Sequence, residues 1–349
     1  MKSLKLVLAI LCLSHLIVFA EGNQQTEKKG SKPIAKVGSS NKVKQKEIFY
    51  ADPTIYYSDG IYYLTGTRNI QPLGFAILKS TDLKVWSSPS KKDLHMILQK
   101  DHKAFGENGF WAPQILKYNK EYLFAYTANE QVALAKSKKL LGPYTQKIMG
   151  PVDGSEKNID PFLFQDNDGK YYLYHVRFNR GNFLWVAEFD MDSDKMLPET
   201  LKQCFGKTQD WEATDNYPSD PIMEGPTVLK LKDKYYLFYS ANHFMNIDYA
   251  VGYAVSDSPY GPWVKNTDNP IIHRSIVKEN GSGHGDIFMG KDQQLYYVYH
   301  VHNAYDKVSP RRTRIVPLIM KWNEETEVYD FTVDEKNVII PVMSSSDND

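Results

Sequence analysis

The chain has 349 residues, 42% hydrophobic, 13% aromatic and 24% charged, a profile that excludes disorder as the main state and allows a large buried core. Lys+Arg and Asp+Glu each number 42, a formal charge of zero without a basic stripe, so nucleic acid is not an expected partner. With 24 Tyr, 16 Phe and 6 Trp, and with 21 Gly and 18 Pro scattered between short apolar runs, the composition points to an all-β fold.

Residues 1–20, MKSLKLVLAILCLSHLIVFA, open on Lys2 and Lys5, continue as an apolar stretch from Leu4 to Phe19 and end with Ala20 at the cleavage position. This is the pattern of a secretory signal peptide. His15 interrupts the run, and a bilayer span takes about 20 continuous apolar residues, so a retained anchor is the weaker reading and no membrane span is expected in the mature chain. A lipoprotein reading through Cys12 is opposed by bulky Leu11 before it. Cleavage removes Lys2 and Lys5 and leaves 40 basic groups against 42 acidic ones, a net charge of −2. Cys12 leaves too, and Cys204 alone can form neither an internal disulfide nor a zinc cluster. Residues 21–46 are rich in Lys, Gln, Ser and Gly and cannot bury enough surface to offset the entropy of ordering, so they read as a polar tether. The folded domain is expected over residues 47–343, followed by a polar tail at 344–349.

Five segments share one pattern: an apolar strand start, a polar turn with Gly or Lys, and an aromatic-rich strand. They are PTIYYSDGIYYLTGT at 53–67, PQILKYNKEYLFAYTA at 113–128, PFLFQDNDGKYYLYHVRF at 161–178, PTVLKLKDKYYLFYSAN at 226–242 and DIFMGKDQQLYYVYH at 286–300. Each reads as a β-hairpin. With Tyr63, Tyr122, Tyr172, Tyr236 and Tyr297 taken as equivalent, the steps are 59, 50, 64 and 61 residues, room for a four-stranded sheet and a long loop. Third strands follow at 75–86, 132–146 and 249–263. A recurring unit of this size predicts a five-bladed β-propeller in preference to a β-sandwich with incidental similarity.

The first strand of each propeller blade lines the central axis, so residues at its mouth converge on one pocket. Eleven to thirteen residues before the aligned tyrosines stand Asp52 (ADP), Trp111 (WAP), Asp160 (IDP), Glu224 (EGP) and His284 (GHGD). Proline fixes φ and removes a ladder donor, which suits a strand entry and holds the preceding side chain in place. Asp before Pro is also a common turn element. Three acids in matching register across three repeats favour a shared site instead. Clustered carboxylates in a dry cleft repel one another, so that one stays protonated while another ionises. Glycosidic hydrolysis needs such an acid and base on opposite faces of a sugar.

Asp52 in YADPTI, Asp160 in NIDPFLF and Glu224 in MEGPTVLK, with FWAPQI and GHGDIF between and after them, resemble glycoside hydrolase family 43 over about residues 48–325. The resemblance implies a five-bladed propeller that hydrolyses with inversion, Asp52 as general base, Glu224 as general acid and Asp160 as the group that raises and orients the acid. An inverting pair stands roughly 6.5–9.5 Å apart to admit the water. Trp111 and Phe110 offer faces on which a sugar could stack. Arg311, opening RRTRIVPLIMKW, matches an arginine that reaches sugar hydroxyls in the family, while Arg312 would point to the other side of such a strand. His284 matches a histidine that lies near a hydrated calcium on the propeller axis, although this hard cation prefers oxygen ligands. No cofactor is otherwise required.

The family divides mainly among α-L-arabinofuranosidases, β-xylosidases and endo-arabinanases. Many of its β-xylosidases carry an added C-terminal β-sandwich, which favours α-L-arabinofuranosidase here, acting on an oligo- or polysaccharide. Residues 190–220, with Trp211, and 87–109 are candidate pocket walls. A non-catalytic carbohydrate-binding propeller would lack one of the three acids, and all three are present. The fructan-cleaving five-bladed families open on Asn-Asp-Pro-Asn and carry Arg-Asp-Pro, which YADPT and NIDPF do not match.

Overall fold

In a computed structural model of the chain, residues 46–90, 94–213 and 220–344 are described. The expected signal peptide, nearly all of the tether and the end of the C-terminal tail lie outside them. The described residues belong to one compact unit. Among the described residues, no helix is long and apolar enough to cross a membrane; the one α-helix, Arg274–Val277, is a single turn.

The five repeats are five antiparallel blades around an axis. Blade one contains Ala51–Ser58, Ile61–Thr67 and Leu78–Ser80, with Val85–Trp86 outside. Blade two is Trp111–Tyr118, Glu121–Ala128 and Gln131–Ser137. Blade three is Asn158–Gln165, Tyr171–Phe178 and Asn182–Asp190, to whose outer edge Lys195–Met196 and Lys202–Gln203 pair. Blade four runs Met223–Leu231, Lys234–Ala241, Ala250–Ser256 and Val264–Lys265. Blade five runs Gly283–Met289, Leu295–Val301, Arg312–Asn323 and Val328–Val333. The ring closes through both ends: Val342–Met343 pairs in parallel with Val85–Trp86, and the Thr313 N–H donates to Ile48 O.

Both faces of each blade are covered by neighbouring blades, which is why the second strands read as almost unbroken apolar and aromatic runs. The core therefore lies between blades: Phe75 and Ile77 meet Phe124 and Tyr126 between one and two, and Tyr236, Phe238 and Tyr253 meet Tyr297 and Val316 between four and five. The axis is left to side chains of the first strands.

Residues 190–213 are fastened to blade four by a buried charge. Glu212, fully buried, accepts from the Tyr239 hydroxyl at 2.5 Å and from the Thr208 and Gln209 backbone N–H groups at 2.7 and 2.8 Å, and pairs with Lys265 at 2.5 Å. Trp211 packs against Tyr239, with ring centres 5.5 Å apart, so in this segment it is a packing residue and not a pocket wall. Residues 214–219 lie outside the described residues. Of the other candidate wall, Met96–Gln99 pairs with Gly74–Ala76 and Ala104 is buried, while Gly109 lies beneath the Trp111 ring. Removing one partner of a buried pair strands the other charge, so Glu212→Ala is expected to lower the unfolding free energy by about 3–5 kcal/mol. A urea unfolding midpoint unchanged from the parent would contradict this.

Candidate active site

Each first strand carries an irregularity at the same place. The ladder slips at Asp52-Pro53, Ala112-Pro113, Asp160-Pro161, Gly225-Pro226 and His284. The residue at the slip has positive φ: 47° at Asp52, 45° at Ala112, 55° at Asp160, 61° at Gly225 and 40° at His284. Proline brings no donor to the ladder and is tolerated at a bulge, and a bulge re-aims a side chain. Left-handed backbone at a non-glycine residue is costly and persists only where the surroundings impose it. The fivefold ring of bulges thus turns Asp52, Asp160 and His284 toward the axis.

The equivalence expected from the sequence is shifted in two blades. Ala112 and Gly225, not Trp111 and Glu224, occupy the bulge position, so Trp111 and Glu224 reach the site from one residue earlier. At Gly225 a Cβ would come within 2.8 Å of the His284 ring, which requires glycine there.

The residue preceding each bulge faces the end of its blade's second strand: Ala51 faces Thr67, Trp111 Thr127, Ile159 Val176, Glu224 Ser240 and Gly283 His300. In four cases that second-strand side chain accepts the N–H of the next blade's bulge residue. Thr67 accepts from Ala112 at 3.0 Å, Thr127 from Asp160 at 2.9 Å, Ser240 from His284 at 2.8 Å and His300 Nδ1 from Asp52 at 3.1 Å. A buried backbone donor needs such a partner. Thr67, Thr127, Ser240 and His300 were missed in the sequence, although they stand at or next to the ends of four of the five aligned aromatic strands.

The three acids meet. Asp52, Asp160 and Glu224 are 7%, 5% and 7% exposed. Asp52 receives the Thr67 hydroxyl at 2.7 Å and Arg311 Nη1 at 2.9 Å, with His284 Nδ1 3.4 Å away. The same His284 nitrogen is 3.8 Å from Asp160, whose Oδ2 accepts the Gly225 N–H at 3.2 Å. Glu224 accepts from the Tyr249 hydroxyl at 2.9 Å and from Asn182 at 3.4 Å. Tyr249 and Asn182 had no motif to announce them.

Burial works against ionisation of all three, with different outcomes. For Asp52 it is outweighed first by the Arg311 guanidinium, and the carboxyl is held well below its ordinary range. For Asp160 burial is reinforced by the Glu224 and Asp52 charges, and its proton affinity rises well above the ordinary value. Glu224 is raised as well, by burial and then by Asp52, against the Tyr249 hydrogen bond. His284 and His300 are both pushed down, first by burial, His300 to about 3, so both are neutral near pH 7. One carboxylate is firmly ionised while two others compete for a proton, the separation that acid–base chemistry requires.

Among the other expected site residues, Arg311 is at the site and Arg312 is not: Arg312 turns to Glu279 and the His302 carbonyl. Arg311 also lies across the Phe244 ring, 4.7 Å from its centre. Trp111 is half-buried, its Nε1 donating to Asn69 at 3.1 Å. Phe110 is a correction. Only 3% exposed, it stacks on Tyr126 at 6.2 Å within the core between blades one and two and offers no face to a sugar.

On the axis a cavity of about 20 Å³ is lined by Asp52, Asp160, His284, Gln114, Thr227 and Asp286 among others. This is room for roughly one water, whereas calcium takes six to eight ligands. Asp286 accepts from Thr54 at 2.6 Å, Thr227 at 2.9 Å and the Ile287 N–H at 2.7 Å. Both carboxylate oxygens are thus engaged, and among the described residues no three His, Cys, Asp or Glu side chains gather as ligands. A calcium ion beside His284 would therefore draw nearly all its ligands from water, with His284 the one side chain named for it.

Comparison with known proteins agrees with this geometry. The family model Glycosyl hydrolases family 43 matches residues 45–326. A Bacteroides thetaiotaomicron VPI-5482 structure described as an endo-1,4-beta-xylanase is 35% identical with a TM-score of 0.78, covering 86% of this chain and 99% of its own. Beta-D-galactofuranosidase xynD of Aspergillus niger is 25% identical, the match covering 80% of this chain and 82% of that protein. An extracellular endo-alpha-(1->5)-L-arabinanase of Thermotoga petrophila is 26% identical over 66% of this chain and 55% of its own length. The chain belongs to glycosyl hydrolases family 43 and is an inverting glycoside hydrolase.

Proposed function

We propose that the protein is an exported hydrolase that removes α-L-arabinofuranosyl residues from plant-type polysaccharides. Asp52 is the base that activates water, Glu224 the acid that protonates the leaving oxygen, and Asp160 the neighbour that raises and orients Glu224. The observation that carries the assignment is the contrast within one pocket between Asp52, clamped by Arg311, and the Asp160–Glu224 pair. The furanoside substrate is supported by the names of two relatives, a galactofuranosidase and an arabinanase. A β-xyloside is the second reading, favoured by the endo-xylanase description of the 35% identical structure. Export is supported by the apolar stretch of residues 1–20 and by the extracellular naming of the arabinanase relatives.

Assay of the purified chain on 4-nitrophenyl α-L-arabinofuranoside and β-D-xyloside, followed by digests of arabinan and arabinoxylan, tests the reading. Release of xylose without arabinose would overturn the arabinofuranoside assignment. In this reading the sugar rests on Trp111, which its partial exposure and the hydrogen bond from its Nε1 to Asn69 support. Trp111→Ala is expected to raise KM about tenfold, an effect of ~1.4 kcal/mol, with a smaller change in kcat. An unaltered KM would remove Trp111 from the substrate site.

A further inference from the structure

Blade three carries a second depression, apart from the pocket of the three acids. A cleft of about 610 Å³ is lined by Arg177, Phe178, Asn179 and Trp185 of this blade and by Glu156 and Lys157 of the segment leading into it. Its size falls within the roughly 300–1,000 Å³ of small-molecule sites. Arg177 and Trp185 share one face of the blade, since Arg177 pairs with Phe183, two residues before Trp185 on the neighbouring strand. Phe178 is 39% exposed, and among the described residues partly exposed Trp185 joins none of the hydrophobic clusters that fill the interfaces between blades. Two large aromatic side chains thus wall a groove and not a core. The cations beside them are already paired within the protein: Arg177 donates to Asp153 at 3.0 Å and lies 3.5 Å from Glu156, and Lys157 pairs with Glu130. The cleft therefore has no spare positive charge for an anion. Aromatic faces edged by polar groups suit an uncharged polyhydroxyl ligand, whose C–H faces stack while its hydroxyls find partners.

One turn joins this cleft to the catalytic centre. Phe178 and Asn179 open the turn that ends at Asn182, and Asn182 donates to Glu224 at 3.4 Å. The Asn179 N–H donates to Gly181 O at 2.9 Å within it. Gly181, at φ 121°, packs so closely that a Cβ would come within 2.5 Å of the Pro221 carbonyl, which holds the turn in place. The strand that carries Asn182 and Trp185 is the third of its blade, two spacings or about 10 Å out from the first. We infer that the cleft is a second carbohydrate site, which holds the leaving-group portion of a chain substrate a few sugars beyond the bond that is cut, with Trp185 and Phe178 as its platforms. The inference rests on the role proposed above for Glu224: the acid protonates the leaving oxygen, so the departing part of the substrate lies on the side from which the turn leads outward.

The test compares substrates of different length. Parent kcat/KM is expected to rise along a series of linear arabino-oligosaccharides. Trp185→Ala should remove most of that rise, with KM about tenfold higher on the longest members, while KM and kcat on 4-nitrophenyl α-L-arabinofuranoside, too short to reach the cleft, stay at parent values. Phe178→Ala, at an exposed position that the fold does not depend on, should show the same pattern and keeps the inference testable where Trp185→Ala does not fold. A parent enzyme indifferent to chain length overturns the inference, as do folded variants that are unchanged on long substrates or are impaired equally on long and short ones. Failure of the underlying readings has separate signatures. If arabinosides are not cleaved, the same comparison runs on xylo-oligosaccharides against 4-nitrophenyl β-D-xyloside and is judged by the same outcomes. Full activity of Glu224→Gln on oligosaccharides would remove the acid assignment, whatever the cleft variants show.

Discussion

Asp52→Asn is expected to lower kcat about 10²–10⁴-fold with KM nearly unchanged, the range over which a positioned proton acceptor accelerates a reaction. Asp52 is poised as an anion. Burial alone would favour its neutral form, and the Arg311 guanidinium at 2.9 Å reverses that preference. Because its proton affinity is held well below the ordinary carboxyl range, Asp52 stays ionised through neutral and mildly acidic pH. Activity should decline on the acid side only as pH falls through that depressed value. Asn keeps the size and the Thr67 contact but accepts no proton and leaves Arg311 without its counter-charge. The variant is checked by steady-state kinetics alongside a melting curve. A folded Asp52→Asn enzyme retaining more than a tenth of kcat would remove Asp52 from the role of base.

The second large effect belongs to Glu224→Gln and depends on the leaving group. On oligosaccharides, whose departing sugar oxygen must be protonated, kcat should fall about 10²–10⁴-fold. A 4-nitrophenyl leaving group departs readily as the anion, so there the loss should be much smaller. The alkaline limb should vanish in the same variant. Glu224 is raised by burial and by the Asp52 charge, and its active form is the protonated one. Wild-type activity is therefore full below the raised value and lost as pH climbs through it. Equal losses on both substrate classes, with the alkaline limb retained, would argue that Glu224 does not donate the proton.

The repeats were legible because a blade buries both faces of its second strand: runs such as YYLFYSA and YYVYH can hardly serve another purpose, and their spacing counts the blades. The convergence of Asp52, Asp160 and Glu224 followed from that count, since first strands share one axis. The choice between Arg311 and Arg312 was open at the level of pattern, where one residue of register exchanges the two sides of a strand. Arg311 stands just before strand Arg312–Asn323 and reaches Asp52, while Arg312 joins Glu279 outside the site. Phe110 failed for a related reason. Adjacent to Trp111, it faces the opposite way, into the core between blades one and two.

Residue types and their spacing thus determined by themselves the all-β character, the number of blades and the three acids, because each of these repeats along the chain. Only the tertiary structure decided how the acids differ from one another. Asp52 and Asp160 share one signature in sequence, an aspartate before a proline at the mouth of a strand. One is made a firm anion by Arg311, a side chain 259 positions away, and the other is left beside Val176 with a single backbone donor. Proton affinity is a property of the groups within a few ångströms of a carboxyl, and in a closed ring those groups come from every blade.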